Sequence, residues 1–535
     1  MNSKGVILTA AKADVTICDV FGYIPTGLIP VNGKPIIYYI IKQFIESGID
    51  DIYISVDYKK NKIKSIINLY FDKSAKFNYV KTDKNKKPGN SLLKILKNFE
   101  SGSAVINLAD TYIKNLPLDS IDNTLVVSDD YSDGRRWASV KLDKSENIVE
   151  FINKKKLTDN HFVLTGVYVF KDVSVFKKYK PKNENIEIID LCKFYMDNSG
   201  ELNIIKTDEW MDFGHIDRYQ FSKKRLIQSR EFNNLEFDDF FGTISKKSDN
   251  QKKLKNEISW YLNLPSQLKI VSPRIIDYSL DSKPYIVSEY YSYPPLSEIW
   301  LFSELSIEIF KSIINKLFKV LKLFQTHQKD VKFINYEELY INKTISRVSD
   351  IANADLIKLM SYDVVNINGH PQKNWKKLKE DVFSQIPKLY NTEHNCLIHG
   401  DFCFSNILYD IRSGIFKIID PRGMWGGSVY GDIKYDFAKL RHSISGGYDY
   451  ISNDLYKLSF DVENKNINYS INQYYNNDIV EYFDSKLELE FNLSHIKLIE
   501  GLLFLSMIPL HNENKNRQIV FYAKSLEILN NLDYG

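Results

Sequence analysis

Little in this sequence points to a metal knot, a membrane or a polyanion. The chain has 4 cysteines in 535 residues, Cys18, Cys192, Cys396 and Cys403. None stands in a CxxC pair or beside histidines at ligand spacing, which argues against a zinc site and a disulfide framework and fits a reducing cytoplasm. No run of about 18 or more apolar residues occurs, and the opening "MNSKGVILTAAKADV" passes from a short apolar run into a strand-like pattern. Neither a secretion signal nor a membrane span is expected. An excess of one charge is lacking too: 71 Lys and Arg face 68 Asp and Glu. That balance gives no overall electrostatic reason to expect nucleic acid or an anionic membrane as partner. No internal repeat is evident.

What is present is ample material for cores. The composition is 44% hydrophobic and 13% aromatic, with 35 Tyr and 31 Phe, too apolar for a disordered chain and too long for one core, so at least two domains are expected. From the start, strand-like runs alternate with amphipathic helical ones: "GVILTAA", "PIIYYIIKQFIESGI", "DIYISVDY", "KNKIKSIINLYF", "KFNYVKT", "GNSLLKILKNF", "SAVINLAD". This rhythm predicts a mostly parallel sheet with helices on its faces and ligands at the carboxyl ends of its strands. Near residue 226 the texture changes to a hairpin-like pair of strands, a helix, and from Ser303 mostly long helical patterns. The predicted domains are 1–225 and 226–535, the latter split near residue 300.

The stretch "CLIHGDFCFSNILYD" sets Asp401 after a strand-like lead-in and Asn406 before the next apolar run. A loop anchored at both ends can offer one carboxylate to a substrate hydroxyl and one amide oxygen to a metal. Further on, "FKIIDPRG" places Asp420 at the end of another strand, where a second oxygen ligand would be wanted. These are the groups that magnesium-ATP chemistry needs. Alone, an HGD triplet is common by chance and an Asp at a strand end is usually a turn cap; the ordered set is what carries meaning.

His399-Gly400-Asp401, Asn406, Asp420 and the following "GDIKYDFAKL" resemble the aminoglycoside phosphotransferase and choline kinase family, relatives of the protein kinases. The resemblance implies a two-lobed α+β kinase-like fold, Asp401 as the catalytic carboxylate, Asn406 and Asp420 as magnesium ligands, and His399 as a brace. Asp432 and Asp436 would structure the segment behind the site, as caps of the helix starting there. A small-lobe strand lysine paired with a helix glutamate is implied for ATP phosphates: Lys246 and Glu257 fit, with Lys247 competing for the role because strand alternation does not say which side chain enters the cleft. "KPYIVSEYYSYPPL" would be the adenine hinge, with Glu289 near its start. Arg422 is a candidate for an anionic substrate group or phosphate, and a solvated loop arginine is the competing account. The tyrosines of "YYSYPP" and "INQYYNN" could cage a quaternary amine, although ordinary packing explains them as well.

In the first half, "VILTAAKADV" and "IPTGLIPVNGKPIIYYII" resemble the opening of the sugar nucleotidyltransferases, and "VINLADTY", "VEFINKK", "LTGVYVF" and "EWMDFGHIDRY" continue the likeness. It implies a Rossmann-like α/β fold of GT-A type, Asp110 and Asp212 as magnesium ligands, and Lys154 as a contact to sugar phosphate. The departures are local. Ala11 and Ala13 stand where the family has phosphate-loop glycines, Val15 replaces its arginine, and Thr26 replaces the lysine of PKxL. A β-carbon obstructs close approach of phosphate, and the lost cations remove charge stabilisation. Two readings follow: a divergent transferase using Lys12 or Lys34 as replacement charge, or a domain that binds a sugar, sugar phosphate or nucleotide sugar without turning it over.

Together the halves suggest a bifunctional cytoplasmic enzyme of surface polysaccharide or cell-wall precursor synthesis. Magnesium and ATP serve the kinase half, and CTP or another NTP the first half. The partners expected are small molecules, a sugar, sugar phosphate or amino-alcohol. The alternatives are a kinase with a silent N-terminal module, and a non-catalytic scaffold.

Overall fold

The computed structural model describes residues 3–118, 122–129, 134–156, 160–200, 202–226, 233–328, 335–424, 428–471 and 477–534. The chain divides into two compact units, Met1–Ile227 with Phe302–Glu304, and Gln228–Leu301 with Leu305–Gly535.

In the first unit the apolar runs lie side by side. Lys4–Leu8 pairs in parallel with Asp51–Val56 on one edge and Ala104–Asn107 on the other, and Lys76–Lys81 extends the sheet beyond Asp51–Val56. The helices Ile36–Glu46, Lys60–Phe71 and Pro88–Leu96 make the crossovers. Each buries one stripe: in the first, Ile36, Ile37, Ile40, Ile41 and Phe44 face inward, the spacing of a helix with one apolar face.

The expectation of parallel pairing holds for these four strands; the rest of the nine-stranded sheet is mainly antiparallel. His161–Phe170 pairs antiparallel with Ala104–Asn107, Thr124–Ser128 and Ala138–Leu142, and Ile148–Asn153 closes that edge. Ala138–Leu142 and Ile148–Asn153 are joined by a short turn, which leaves no chain for a crossover helix and so permits only antiparallel pairing.

The second unit begins with a four-stranded antiparallel sheet, ordered Asn233–Asp238, Thr243–Ser248, Tyr285–Glu289, Ile275–Ser279. The helix Gln251–Leu262 follows the predicted hairpin and is capped by Asn250, whose side chain accepts from the Lys253 amide. Beyond it lie the helices Ile307–Gln325, Ile433–Ile444, Leu493–Met507 and Lys515–Asn530. A second four-stranded sheet, His370–Lys373, Val364–Ile367, Asn466–Ile471 and Tyr456–Asp461, interrupts the helical region. One stretch, Leu493–His511, is long and apolar enough to cross a membrane by length and composition. It is 67% buried within the protein, as befits a core helix.

Candidate active sites

In the second unit, register decides which lysine enters the cleft. Lys246 lies opposite Ile286 and Leu235 in the sheet, and its ammonium reaches Glu257 on the neighbouring helix at 2.8 and 3.0 Å. Lys247 points to the other face and pairs with exposed Glu236 at 3.2 Å. Lys246 also donates to Asp420 Oδ1 at 2.7 Å, so three of the predicted residues converge from a strand, a helix and a distant loop. Burial opposes the Lys246 charge, but Asp420 and Glu257 outweigh it and raise the ammonium's pKa above the ordinary lysine value. Asp420 holds a left-handed backbone (φ 54°), an uncommon state for a non-glycine residue.

The loop after it is pressed against the Glu257 helix. Gly423 has φ 88°, and a β-carbon there would meet the backbone carbon of Asn256 at 2.4 Å.

Asp401 and Asn406 also come together. Asn406 Nδ2 donates to the Asp401 carbonyl and to Asp401 Oδ2, both at 3.0 Å, which places its amide oxygen on the opposite branch. Lys439 Nζ sits 2.9 Å from Asp401 Oδ1. Burial by itself would raise the Asp401 carboxyl; the Lys439 ammonium, by charge and hydrogen bond, holds it well below the usual carboxylate range. Asp401 is therefore ionised at any physiological pH.

The frame of this loop is backbone held by side chains. His399 Nε2 lies 3.1 Å from the Ile419 carbonyl while Nδ1 accepts from the Asp401 amide at 3.3 Å. That pattern belongs to a neutral imidazole, and burial pulls its pKa down to about 4. Trp260 packs edge-on to His399 and donates to the Ile398 carbonyl at 2.7 Å. Asp432 caps the helix Ile433–Ile444 as predicted, accepting from the Lys434 amide. Asp436 does not cap that helix. Its two oxygens accept from the His399 and Gly400 amides, each at 2.7 Å, so it clamps the loop itself.

Of the remaining predicted residues, Glu289 is not joined to this cluster by any hydrogen bond among the described residues, whereas the Arg422 amide donates to the His399 carbonyl at 3.0 Å. Glu289 ends its strand three positions past Ile286 and accepts from the Tyr291 hydroxyl at 2.8 Å. Arg422 Nη1 donates to the Tyr435 hydroxyl at 3.1 Å. Of the aromatic stretches, Tyr291 already carries the Lys417 ammonium over its ring at 4.8 Å, and residues 472–476 of "INQYYNN" lie outside the described residues. Lys439 was missed from the sequence although it stands in the quoted "GDIKYDFAKL"; its distance from Asp401 along the chain hid the pairing.

In the first unit, Asp110 follows strand Ala104–Asn107 through Ala109, whose left-handed backbone (φ 69°) is fixed by its amide donating to Asn107 Oδ1 at 2.8 Å. The short ladder Thr111–Ile113 against Trp210–Asp212 then brings Asp212 opposite Thr111. A β-carbon on Gly214 would lie 3.0 Å from Asp110 Oδ2 and 3.1 Å from Asp212 Oδ1, so both carboxylates converge on one small volume. Burial first, then the Asp212 charge, push the Asp110 carboxyl up to about 7, against His215. Asp212 also accepts from Trp137 Nε1 at 3.1 Å and lies 3.4 Å from His215 Nδ1. Trp137 and His215 were not singled out from the sequence, and their role appears only once the sheet closes.

The phosphate-loop segment is bound back on itself. Ala13 N donates to Ile24 O at 3.0 Å and Thr26 N to Ala11 O at 3.1 Å, which engages the amide of Ala13, one of the two positions where the resemblance expects a phosphate-loop glycine. Lys12 lies 5.0 Å from the Tyr23 ring, and Lys34 lies 4.4 Å from the Tyr70 ring. Lys154 is exposed just past its strand with φ 51°; among the described residues no hydrogen bond or ion pair joins it to the two carboxylates.

Magnesium fits both places by donor type. Among the described residues no group of three or more His, Cys, Asp or Glu could hold a metal; magnesium commonly keeps several water and phosphate oxygens beside one or two carboxylates. The crowded Asp110 and Asp212 carboxylates are an oxygen set of the kind such an ion takes, and the Asp420 carboxylate and the Asn406 amide each offer an oxygen of the same type.

Two families match successive parts of the chain. Residues 23–228 match the family described as nucleotidyl transferase, and residues 227–449 match the phosphotransferase enzyme family. A UTP–glucose-1-phosphate uridylyltransferase, AglF, of Haloferax volcanii is 23% identical over 217 residues, 38% of this chain and 88% of that protein. Among solved structures, the inositol-1-phosphate CTP transferase of T. maritima is 17% identical, with a TM-score of 0.35 over 43% of this chain and 99% of that one. HddC of Yersinia pseudotuberculosis, complexed with GMP-PN, is 19% identical, with a TM-score of 0.34 over 42% of this chain and 100% of its own.

Proposed function

We propose that this chain, whose residues 23–228 match the nucleotidyl transferase family and residues 227–449 the phosphotransferase enzyme family, is bifunctional: residues 226–535 transfer the ATP γ-phosphoryl group to a hydroxyl of a small sugar or amino-alcohol, and residues 1–225 couple a sugar phosphate to CTP or another NTP. The observation that carries the first activity is the meeting of Lys246, Glu257 and Asp420 in the unit where Asp401 and Asn406 pair. In this reading Lys246, fixed by Glu257, neutralises phosphate charge. Asp401 orients the acceptor hydroxyl and takes its proton as the oxygen attacks. Asn406 and Asp420 would hold magnesium, whose charge would offset that of the phosphates. Such a pair of steps provides activated building blocks for surface polysaccharide or cell-wall precursors, in the cytoplasm where the nucleotides are.

For the first half, the convergence of Asp110 and Asp212 supports a working metal site. The engaged Ala13 amide favours the second reading, in which the domain binds a sugar, sugar phosphate or nucleotide sugar without turnover. The two are separated by pyrophosphate release from labelled NTP with sugar 1-phosphates. Turnover that disappears in Asp110→Asn and in Asp212→Asn supports the transferase, and no turnover with any NTP supports the binding module. For the second half, ADP release with a panel of sugars and amino-alcohols should vanish in Asp401→Ala; absence of magnesium-dependent ATP binding by calorimetry would sink the assignment.

A further inference from the structure

Three parallel strands of the first unit, Lys4–Leu8, Asp51–Val56 and Lys76–Lys81, lie side by side and end on one edge of the sheet. Lys12 lies beyond the first of them, Tyr58 beyond the second, and Thr82 and Lys84 beyond the third. The Thr82 amide donates to the Val56 carbonyl at 2.9 Å and the Lys84 amide to Asp57 Oδ2 at 2.8 Å, which ties the third exit to the second. The Tyr58 ring ties both to the first: Lys84 Nζ lies 5.0 Å and Lys12 Nζ 5.8 Å from its centroid.

A ring attracts an ammonium but carries no net charge. Among the described residues neither Lys12 nor Lys84 pairs with a carboxylate, and their ammonium groups rest on tyrosine rings. The lysines that follow, Lys86 and Lys87, are paired with Glu184 and Glu187. Beside the two open cations, buried hydroxyls stand without a hydrogen-bond partner: those of Tyr58, Thr82 and Thr26, the two threonines each 6% exposed. Thr26 is joined to the same loop through its amide, which donates to Ala11 O at 3.1 Å. Unpaired buried hydroxyls are costly, and the oxygens of a ligand would satisfy them.

The first turn of the helix after the loop, where backbone amides would draw in a phosphate, is already taken. Asp14 caps the helix Val15–Phe21, its Oδ1 accepting from the Thr16 amide at 2.9 Å and from the Thr16 hydroxyl at 2.5 Å. A carboxylate fixed there repels phosphate, the Ala13 amide is engaged with Ile24, and Val15 and Thr26 bring no charge. We infer that the phosphates of the nucleoside triphosphate used by the first half are held by Lys12 and Lys84, in place of the loop amides and of cations at positions 15 and 26. This rests on the transferase reading of the same half.

The test is calorimetry on the full-length chain with Mg-CTP, Mg-UTP and Mg-GTP, in saturating Mg-ADP to fill the phosphotransferase half. The triphosphate that binds best should lose about tenfold or more in affinity in Lys12→Gln and in Lys84→Gln. Lys84→Arg should retain more affinity than Lys84→Gln, and melting temperatures of all variants report whether the fold is kept. The corresponding monophosphate should lose less, since it offers fewer anionic oxygens. Triphosphate binding unchanged in both glutamine variants overturns the inference and leaves the transferase reading standing. So does a loss seen in Lys34→Gln alone, which would assign the charge to that lysine, and so do equal losses for monophosphate and triphosphate, which would put the two lysines on the base or ribose. If none of the three triphosphates binds the wild type, the transferase reading fails and the inference falls with it.

Discussion

Lys439 and Asp401 form an ion pair at 2.9 Å in which the lysine side chain is 4% exposed. The second carboxylate oxygen is held by Asn406 at 3.0 Å, so the carboxylate is fixed at both ends. Asp401→Asn should lower phosphoryl transfer roughly 100- to 10,000-fold and leave ATP affinity nearly unchanged. Lys439→Met removes the cation that keeps the carboxyl pKa low. The acid limb of the kcat/KM profile should therefore move to higher pH, because the base protonates earlier on the way down. An unmoved limb would mean that another group sets it.

Lys246 and Lys247 are neighbours on opposite faces of one strand, and they should behave differently. Lys246→Met should cost roughly 100-fold or more in kcat/KM for ATP, since it removes charge where phosphoryl transfer concentrates it. Lys247→Met breaks only an exposed pair with Glu236 and should change the same constant by no more than about twofold. Steady-state ADP release measures both.

His399 gives a pH dependence of stability. Its folded pKa of about 4 lies below the unfolded value near 6.5, so the unfolded chain binds the extra proton between them. The contribution is present above about 6.5 and is lost as pH falls toward 4, with a slope of up to ~1.4 kcal/mol per pH unit. Urea unfolding of the wild type and His399→Gln, compared at several pH values in that window, should show the variant's curve flatter by this amount. Parallel curves would mean that the imidazole is charged in the folded protein.

Gly423→Ala should be costly although it adds one methyl group. The position has φ 88°, and the new carbon would meet the Asn256 backbone at 2.4 Å, where a helix rather than a flexible side chain must give way. A loss of about 1–3 kcal/mol is expected, with weaker ATP binding, because Asn256 adjoins Glu257. Thermal melting and calorimetry check the two effects, and an unchanged melting temperature would contradict this packing.

The strands and helices of the first half were legible because the 2.0 and 3.6 periods alternate cleanly, as in "DIYISVDY" followed by "KNKIKSIINLYF". The antiparallel edge was not, since pairing direction depends on how much chain joins two strands and on what is already paired. The sheet containing Val364–Ile367 and Asn466–Ile471 was hidden by short, polar strands whose pairing joins distant parts of the sequence. Asp401, Asn406 and Asp420 were readable from local spacing. Lys439 was not, because only tertiary packing brings it to Asp401; Asp436 was legible as a residue behind the site, but its clamp on the His399 and Gly400 amides in place of a helix cap was not.

The helix Ile433–Ile444 bears Tyr435, Asp436 and Lys439, which respectively receive Lys343 and Arg422, clamp the His399 and Gly400 amides, and pair with Asp401. A single rod thus serves as the common mount for three separate fittings. Deleting one residue just ahead of Tyr435 would turn every later side chain by about 100° and dislodge all three together. A change of length in this segment would have to be matched by a rebuilt loop.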